Sequence, residues 1–303
     1  MLKENHVRNC PVCKTKTKTK IYLNENYNPN KITTLSYSSR KLPEFMCHQM
    51  KHCQKCDLAF VSKPPNSLHL SESYHQSDYD SMDEAIDAAL SYYNTLKPYL
   101  SNLYLNSSIL EIGCGSGDFL THLQKNGYKD LTGFEPSINA INSSKRSIRV
   151  KIINAIFNPK LLPNKKKFDL ICCFMTIEHV ADPFLLFKNI KKILKQNGKL
   201  IIICHDRNSF INKVLGKKSP IVDIEHMQLF SRLSIFNLFK KNGFRNIKIE
   251  SFSNTYSIYY WFKLLPLPTF IKKFMMPFMK NQFFRKIKLS INVGNIIVIG
   301  DRY

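Results

Sequence analysis

The run ILEIGCGSGDFL, residues 109–120, carries an apolar strand pattern into glycines at 113, 115 and 117, then into Asp118 at the head of a helical pattern. Glycines alternating at the end of a strand mark backbone that turns tightly and admits a ligand against the main chain. The run therefore predicts a strand, a loop and a helix, and the residues after it repeat that theme. LTGFEPS, VKIINA, FDLICCFMT, KLIIICH, FRNIKIESF and NIIVIGD read as further strands. DFLTHLQKNG, INAINSSKRS, PFLLFKNIKKILKQNG and SRLSIFNLFKKNG read as helices between them. Strands alternating with helices of this length imply parallel βαβ units, hence an α/β protein with a doubly wound, mostly parallel seven-stranded sheet.

Upstream, a polar region bracketed by two C-x-x-C pairs ends at Lys63-Pro64-Pro65, and two helical patterns follow. The expected organisation is a small zinc ribbon over 1–64, a helical linker or lid over 65–106, and the α/β domain over 107–303. No apolar run is long enough to span a bilayer and no secretory signal opens the chain, so a cytoplasmic protein is expected. The formal net charge of +23 has two explanations, a coding bias toward Lys, Asn and Ile or an anionic surface partner. Only nine of the 45 basic residues are Arg, the side chain whose planar fork suits phosphate.

A dinucleotide loop wants a third glycine where this chain has Asp118, and an acid there repels a pyrophosphate at the helix start. The P-loop pattern is absent as well. The loop therefore suits a nucleoside without phosphates and with a cationic head, a description that S-adenosylmethionine meets. On this reading Gly113, Gly115 and Gly117 let the backbone approach the methionyl part, and Glu111 and Asp118 add negative potential. Glu135, closing the second strand, accepts the ribose hydroxyls.

LEIGCGSGDFL, LTGFEPS, FDLICCFMTIEHVADP and ILKQNGKLIIIC, in that order, resemble motifs of the class I S-adenosylmethionine-dependent methyltransferases. The likeness covers about residues 107–250 and the final strand. It implies the fold and activity of that family, with Glu111, Gly113, Gly115 and Gly117 at the methionyl moiety, Glu135 at the ribose and Thr176 beside the cofactor. Where the family usually has an acid for the adenine amino group this chain has Asn154, whose side-chain oxygen is the expected substitute. The stretch from Arg207 to Phe244 resembles a branch found in sugar, polysaccharide and quinone modification. That branch implies a sugar or glycan acceptor, free or lipid-linked, methylated on oxygen in polysaccharide biosynthesis. The alternatives are a quinone or lipid O-methyltransferase, and a non-catalytic module that binds RNA or membrane on the same fold.

A hydroxyl acceptor benefits from a base. His179, after the fourth strand, and His226, after the fifth, both fall on the carboxyl edge where doubly wound proteins bind ligands. Quinone-modifying relatives of this branch can carry a metal-binding acid three residues before the Glu178-His179 pair; here that residue is Met175, so no catalytic metal is expected. A nucleic acid acceptor is disfavoured. The fourth strand runs into Phe174-Met175-Thr176-Ile177 rather than an (Asn/Asp)-Pro-Pro-aromatic turn, and Cys172 and Cys173 fall inside a predicted central strand.

Cys10, Cys13, Cys53 and Cys56 form two knuckles whose spacing suits a closed, structural tetrahedral zinc site. Cys47, His48 and His52 are substitutes with poorer spacing. An insert at about 252–290 separates the last two strands; it is aromatic, basic and free of acids. It is expected to cap the acceptor pocket as a lid, to touch an anionic membrane at the inner face, or both.

Overall fold

The structure is a computed structural model that describes residues 7–38, 44–65, 67–79, 81–265 and 267–303; the first six residues of the expected ribbon and its residues 39–43 lie outside that set. The chain opens with strands β1 (Thr19–Leu23), β2 (Met50–Cys53) and β3 (Ala59–Val61), then helices α1 (Ser67–His75) and α2 (Met82–Leu100). The alternating region follows: β4 (Ile109–Ile112), α3 (Asp118–Lys125), β5 (Leu131–Glu135), α4 (Ile138–Asn142), α5 (Arg146–Arg149), β6 (Ile152–Asn154), β7 (Phe168–Phe174), α6 (Pro183–Ile193) and β8 (Leu194–His205). The chain then forms α7 (Phe210–Leu215), β9 (Gln228–Leu229), α8 (Arg232–Lys241) and β10 (Phe244–Ser257). Helices α9 (Ile258–Leu264), α10 (Thr269–Met279) and α11 (Gln282–Lys286) precede the last strand, β11 (Lys288–Arg302).

Seven strands form the main sheet in the order β10-β11-β8-β7-β4-β5-β6. Strands β4 to β8 pair in parallel, and β11 enters antiparallel between β8 and β10. Both faces are covered, so the central strands are apolar on both sides. Leu170, Cys172 and Phe174 of β7 face Leu96, Phe119 and Leu120 on α2 and α3, while Ile171 and Cys173 face Phe187 and Phe239 on α6 and α8. Strand order reverses at β4, which opens a crevice at the carboxyl ends of the strands.

Two elements differ from the sequence expectation. The helix predicted over 183–198 ends at Ile193, because buried Leu194 pairs with Phe168 at the start of β7. The predicted helix INAINSSKRS divides into α4 and α5, with the Ser143 and Ser144 hydroxyls bonding back to the carbonyls of Asn139 and Ile141.

The second sheet, β1-β2-β3-β9, is antiparallel and takes its fourth strand from beyond the α/β repeat. Ala59 pairs with Leu229 and Phe60 with Gln228. Gln228 is fully buried, and its side-chain amide donates to the carbonyls of Ile177 (2.7 Å), Glu178 (3.1 Å) and Val180 (2.7 Å). Arg8 adds bonds to the carbonyls of Val61 and Met227 at 2.7 and 2.9 Å. The loop after β7 is thereby fixed to the N-terminal sheet. Gln228→Leu removes the side-chain donor from the carbonyls of Ile177 and Val180, while that of Glu178 keeps its backbone donors, and urea unfolding should show a loss of about 2–4 kcal/mol.

Candidate functional site

The crevice is a cavity of about 770 Å³ at the carboxyl ends of β4, β5, β7 and β8. Its first wall is the glycine loop. The amides of Gly113 and Cys114 donate to the carbonyl of Phe134 at 2.8 and 3.0 Å, which ties the loop to β5. Gly113 has φ +73°, and a Cβ there would lie 2.3 Å from Thr176 Oγ1, so only glycine lets the loop close on the end of β7. Gly115 has φ +54° and its missing side chain would meet nothing within 4 Å. It presents bare backbone at the cavity wall.

Glu135 sits opposite. Its carboxylate accepts from the amides of Gly115 and Ser137, both at 2.8 Å, which fixes its orientation at the end of β5. Glu111 is buried in β4 and also reaches the wall. Asp118 lies in the first turn of α3, where the helix dipole favours an acid, and the Ser116 hydroxyl donates to it. Among the described residues the cavity is lined by Asp78, Glu111, Asp118, Glu135, Asp182, Asp223 and Glu225 and by no Lys or Arg. In a chain of net charge +23 this gathers acids around one concavity, of which Asp182 pairs with Lys14 at 2.6 Å.

Asn154 itself is not among the residues that line the cavity. Its amide nitrogen donates to the carbonyls of Glu135 (3.0 Å) and Pro136 (2.9 Å), and the cavity wall beside it is Ala155, Ile156 and Phe157. Asn154 thus secures the turn that carries Glu135.

The far end of the cavity holds His179 and His226, with ring centroids 4.8 Å apart. The two come together because the carbonyl of Glu178 accepts from the amides of Met227 and Gln228. Glu178 itself points away: buried, with its pKa raised by that burial, it accepts from the His205 amide at 2.7 Å. Nδ1 of His226 lies 2.8 Å from the carbonyl of Ile221, and Nδ1 of His179 lies 3.3 Å from the carbonyl and 3.5 Å from the carboxylate of Glu225. These partners accept, which favours the tautomer with the proton on Nδ1. Burial draws the His179 pKa below its ordinary value. One donor atom from each of His179, Glu225 and His226 falls within 4.8 Å of the others, a spacing that suits a shared cation.

Sequence reasoning missed two neighbours. Tyr74 of α1 packs edge-on to His179 at 6.1 Å, with a buried hydroxyl that has no protein partner. Burial pushes its pKa well above the usual tyrosine value, so the hydroxyl stays protonated. Asn254 of β10 likewise brings a buried, unpartnered side-chain oxygen to the wall. Neither belongs to a local motif; topology alone delivers them. Of the aromatic, basic insert, Tyr260, Trp261 and Leu264 of α9 line the same cavity, and none of the described residues 267–290 does.

The four knuckle cysteines converge in the N-terminal region. Cys10 and Cys56 Sγ lie 3.5 Å apart, Cys13 and Cys53 Sγ 3.9 Å apart, and all four sulfurs fall within 4.8 Å of one another. A tetrahedral zinc–thiolate site requires sulfurs about 3.8 Å apart, so the donor set and its spacing fit that ion. The hydrogen bond with Cys56 draws the Cys10 thiol down to about 5. The substitutes are engaged elsewhere, His52 with Asp57 at 2.7 Å and Cys47 with the carbonyl of Asn24. Burial raises the thiols of Cys114, Cys172, Cys173 and Cys204, which are core residues rather than nucleophiles.

Comparison with known proteins places this geometry. A ubiquinone biosynthesis O-methyltransferase of Pelagibacter ubique is 27% identical over 155 residues, 48% of this chain and 64% of its own. A protein of the same name from Coxiella burnetii is 31% identical over 114 residues, 36% of this chain and 48% of its own. A tRNA U34 carboxymethyltransferase of Campylobacter concisus is 29% identical over 114 residues, 36% of this chain and 39% of its own. The chain thus spans under two thirds of each relative's length. None of the three is named for a sugar or polysaccharide, and the tRNA relative removes support for excluding nucleic acid. A family model described as a methyltransferase domain matches residues 82–249, from α2 into β10. With that match over more than half its length and a seven-stranded sheet in this order, the chain belongs to the methyltransferase domain family and has the class I methyltransferase fold.

Proposed function

We propose that the protein is an S-adenosylmethionine-dependent methyltransferase acting on a hydroxyl of a ring-shaped small molecule. The observation that carries this reading is the acid-lined, Lys- and Arg-free cavity behind the glycine loop. When bound, S-adenosylmethionine supplies an electrophilic methyl group on a sulfonium, beside an ammonium. Glu111, Asp118 and the Gly113–Gly117 backbone would hold the methionyl end, Glu135 the ribose hydroxyls, and Ala155–Phe157 the flat apolar face of the base. Thr176 closes the wall against Gly113.

On the acceptor side His179 takes the hydroxyl proton on Nε2. Glu225 faces its Nδ1–H and stabilises the imidazolium that forms, as a carboxylate does for a catalytic histidine elsewhere. His226 and Tyr74 orient the acceptor. A sugar or glycan intermediate is the first reading, because Asp223, Glu225, Asn254 and Asn295 offer partners for several hydroxyls. A quinone-type phenol is the second, favoured by relatives named for that pathway and by the aromatic wall of Tyr256, Tyr260 and Trp261. Turnover of nucleotide-linked sugars against dihydroxybenzene compounds separates the two.

Calorimetric titration should give micromolar binding of S-adenosylmethionine and S-adenosylhomocysteine, none of NAD, and at least about tenfold weaker binding in Glu135→Ala. Absence of binding by the wild type would end the methyltransferase reading. His179→Ala should lower kcat by about 100-fold or more while leaving cofactor affinity unchanged. Because burial lowers the His179 pKa, the base stays neutral below the ordinary histidine value, and kcat/KM should fall only as pH drops through that lowered value. Glu225→Gln removes the charge that favours the imidazolium, so it should shift this acid limb further down while lowering the rate.

Zinc on Cys10, Cys13, Cys53 and Cys56 is part of the same proposal, as a structural ion. Purified protein should hold one zinc per chain, which Cys53→Ser abolishes, with a lower unfolding midpoint. Four freely titrating thiols in metal-free, fully stable protein would contradict it.

A further inference from the structure

The helices at the tip of the β10–β11 hairpin present a surface that cofactor and acceptor chemistry do not use. Along α10, Phe270, Phe274 and Phe278 recur every four residues on one stripe, with 74%, 86% and 66% of their surface exposed. Phe283 of α11 continues the stripe at 61%. From residue 251 to 300 the chain has seven basic residues (Lys263, Lys272, Lys273, Lys280, Arg285, Lys286 and Lys288) and no acid. A second rim lies on α7, where Phe210 and Val214 are 85% and 67% exposed and Lys213, Lys217 and Lys218 surround them. Ile211 and Leu215 of α7, and Leu264 and Leu265 at the end of α9, line the same cavity. The two apolar, basic rims therefore border the acceptor pocket.

Exposed phenylalanines in a row have no polar tip to satisfy in water, and a monomer gains nothing from displaying them. An apolar stripe flanked by Lys, with no acid, matches the depth profile of a bilayer interface: rings among the acyl chains, ammonium groups at anionic headgroups. An RNA surface would favour Arg for phosphate and stacking, but one of the seven cations here is Arg. A second copy of a chain with net charge +23 would bring more positive charge to a segment that has no acid of its own and in which, among ion pairs between described residues, Lys288 alone is paired, with Asp87.

We propose that α10 and α11, with the exposed end of α7, dock on an anionic lipid bilayer and turn the mouth of the cavity toward it. Taken with the methyltransferase reading, on which this consequence rests, docking lets an acceptor with a lipid tail enter from the membrane while its ring reaches His179.

The test is co-sedimentation of the full, zinc-loaded chain with vesicles of phosphatidylcholine, alone or mixed with phosphatidylglycerol, at low and high salt. The bound fraction should be at least about tenfold greater on the anionic vesicles and fall with salt. It should be lost in F270S/F274S/F278S and weakened in K273E/K280E. S-adenosylhomocysteine affinity, measured by calorimetry, should be unchanged in both variants, which separates failure of docking from failure of the cofactor reading. Three results would overturn the proposal: no preference for anionic vesicles, equal binding by the triple variant, or a wild-type dimer in light scattering that the triple variant abolishes. So would binding of single-stranded RNA that displaces the vesicles.

Discussion

Gln228 joins the two halves of the molecule through one residue. Its backbone pairs with Phe60 of the N-terminal sheet, and its side chain supplies the donors for the loop that leaves β7. A buried carbonyl without a donor costs roughly as much as several surface contacts contribute, so this residue leaves the loop little freedom. The amides of Met227 and Gln228 on the carbonyl of Glu178 draw the segments bearing His179 and His226 together. The acceptor end of the cavity is therefore built on hydrogen bonds to the main chain, which also orient the two imidazoles through Nδ1.

Charge is distributed on the opposite logic to composition. A chain with more than twice as many basic as acidic residues collects seven carboxylates around one cavity and keeps every Lys and Arg off its described walls. The surrounding surface attracts anions, the interior cations. On the readings proposed above, a cationic nucleoside and an anionic membrane would draw on different groups.

Much of the cofactor end was legible from residue order, because its signals are local. The glycine loop and each C-x-x-C pair are compact in sequence, and Glu135 closes the very next strand, so spacing carries their meaning. Alternation of strand and helix gave the sheet for the same reason. The residue order gave no hint that the amide nitrogen of Asn154 turns to the carbonyls of Glu135 and Pro136. Tyr74, Asn254 and Gln228 left no local trace; they reach the site through pairings between segments far apart in the chain. The end of α6 was misjudged because a long-range pairing of Leu194 with Phe168 outweighs helical periodicity.

The borrowed strand also bears on the order in which the molecule can be built. During synthesis from the N-terminus, β1, β2 and β3 emerge long before β9, with every residue between Val61 and Gln228 still to come. Until then β3 is an open edge, the kind of strand that invites pairing with another chain. The cysteine knuckles on either side of β1 and β2 can close over that interval, whereas the edge itself waits for the α/β domain to deliver its partner. A nascent chain arrested inside the α/β repeat would thus carry an unfinished sheet, and cutting after residue 64 would separate two pieces that are both incomplete.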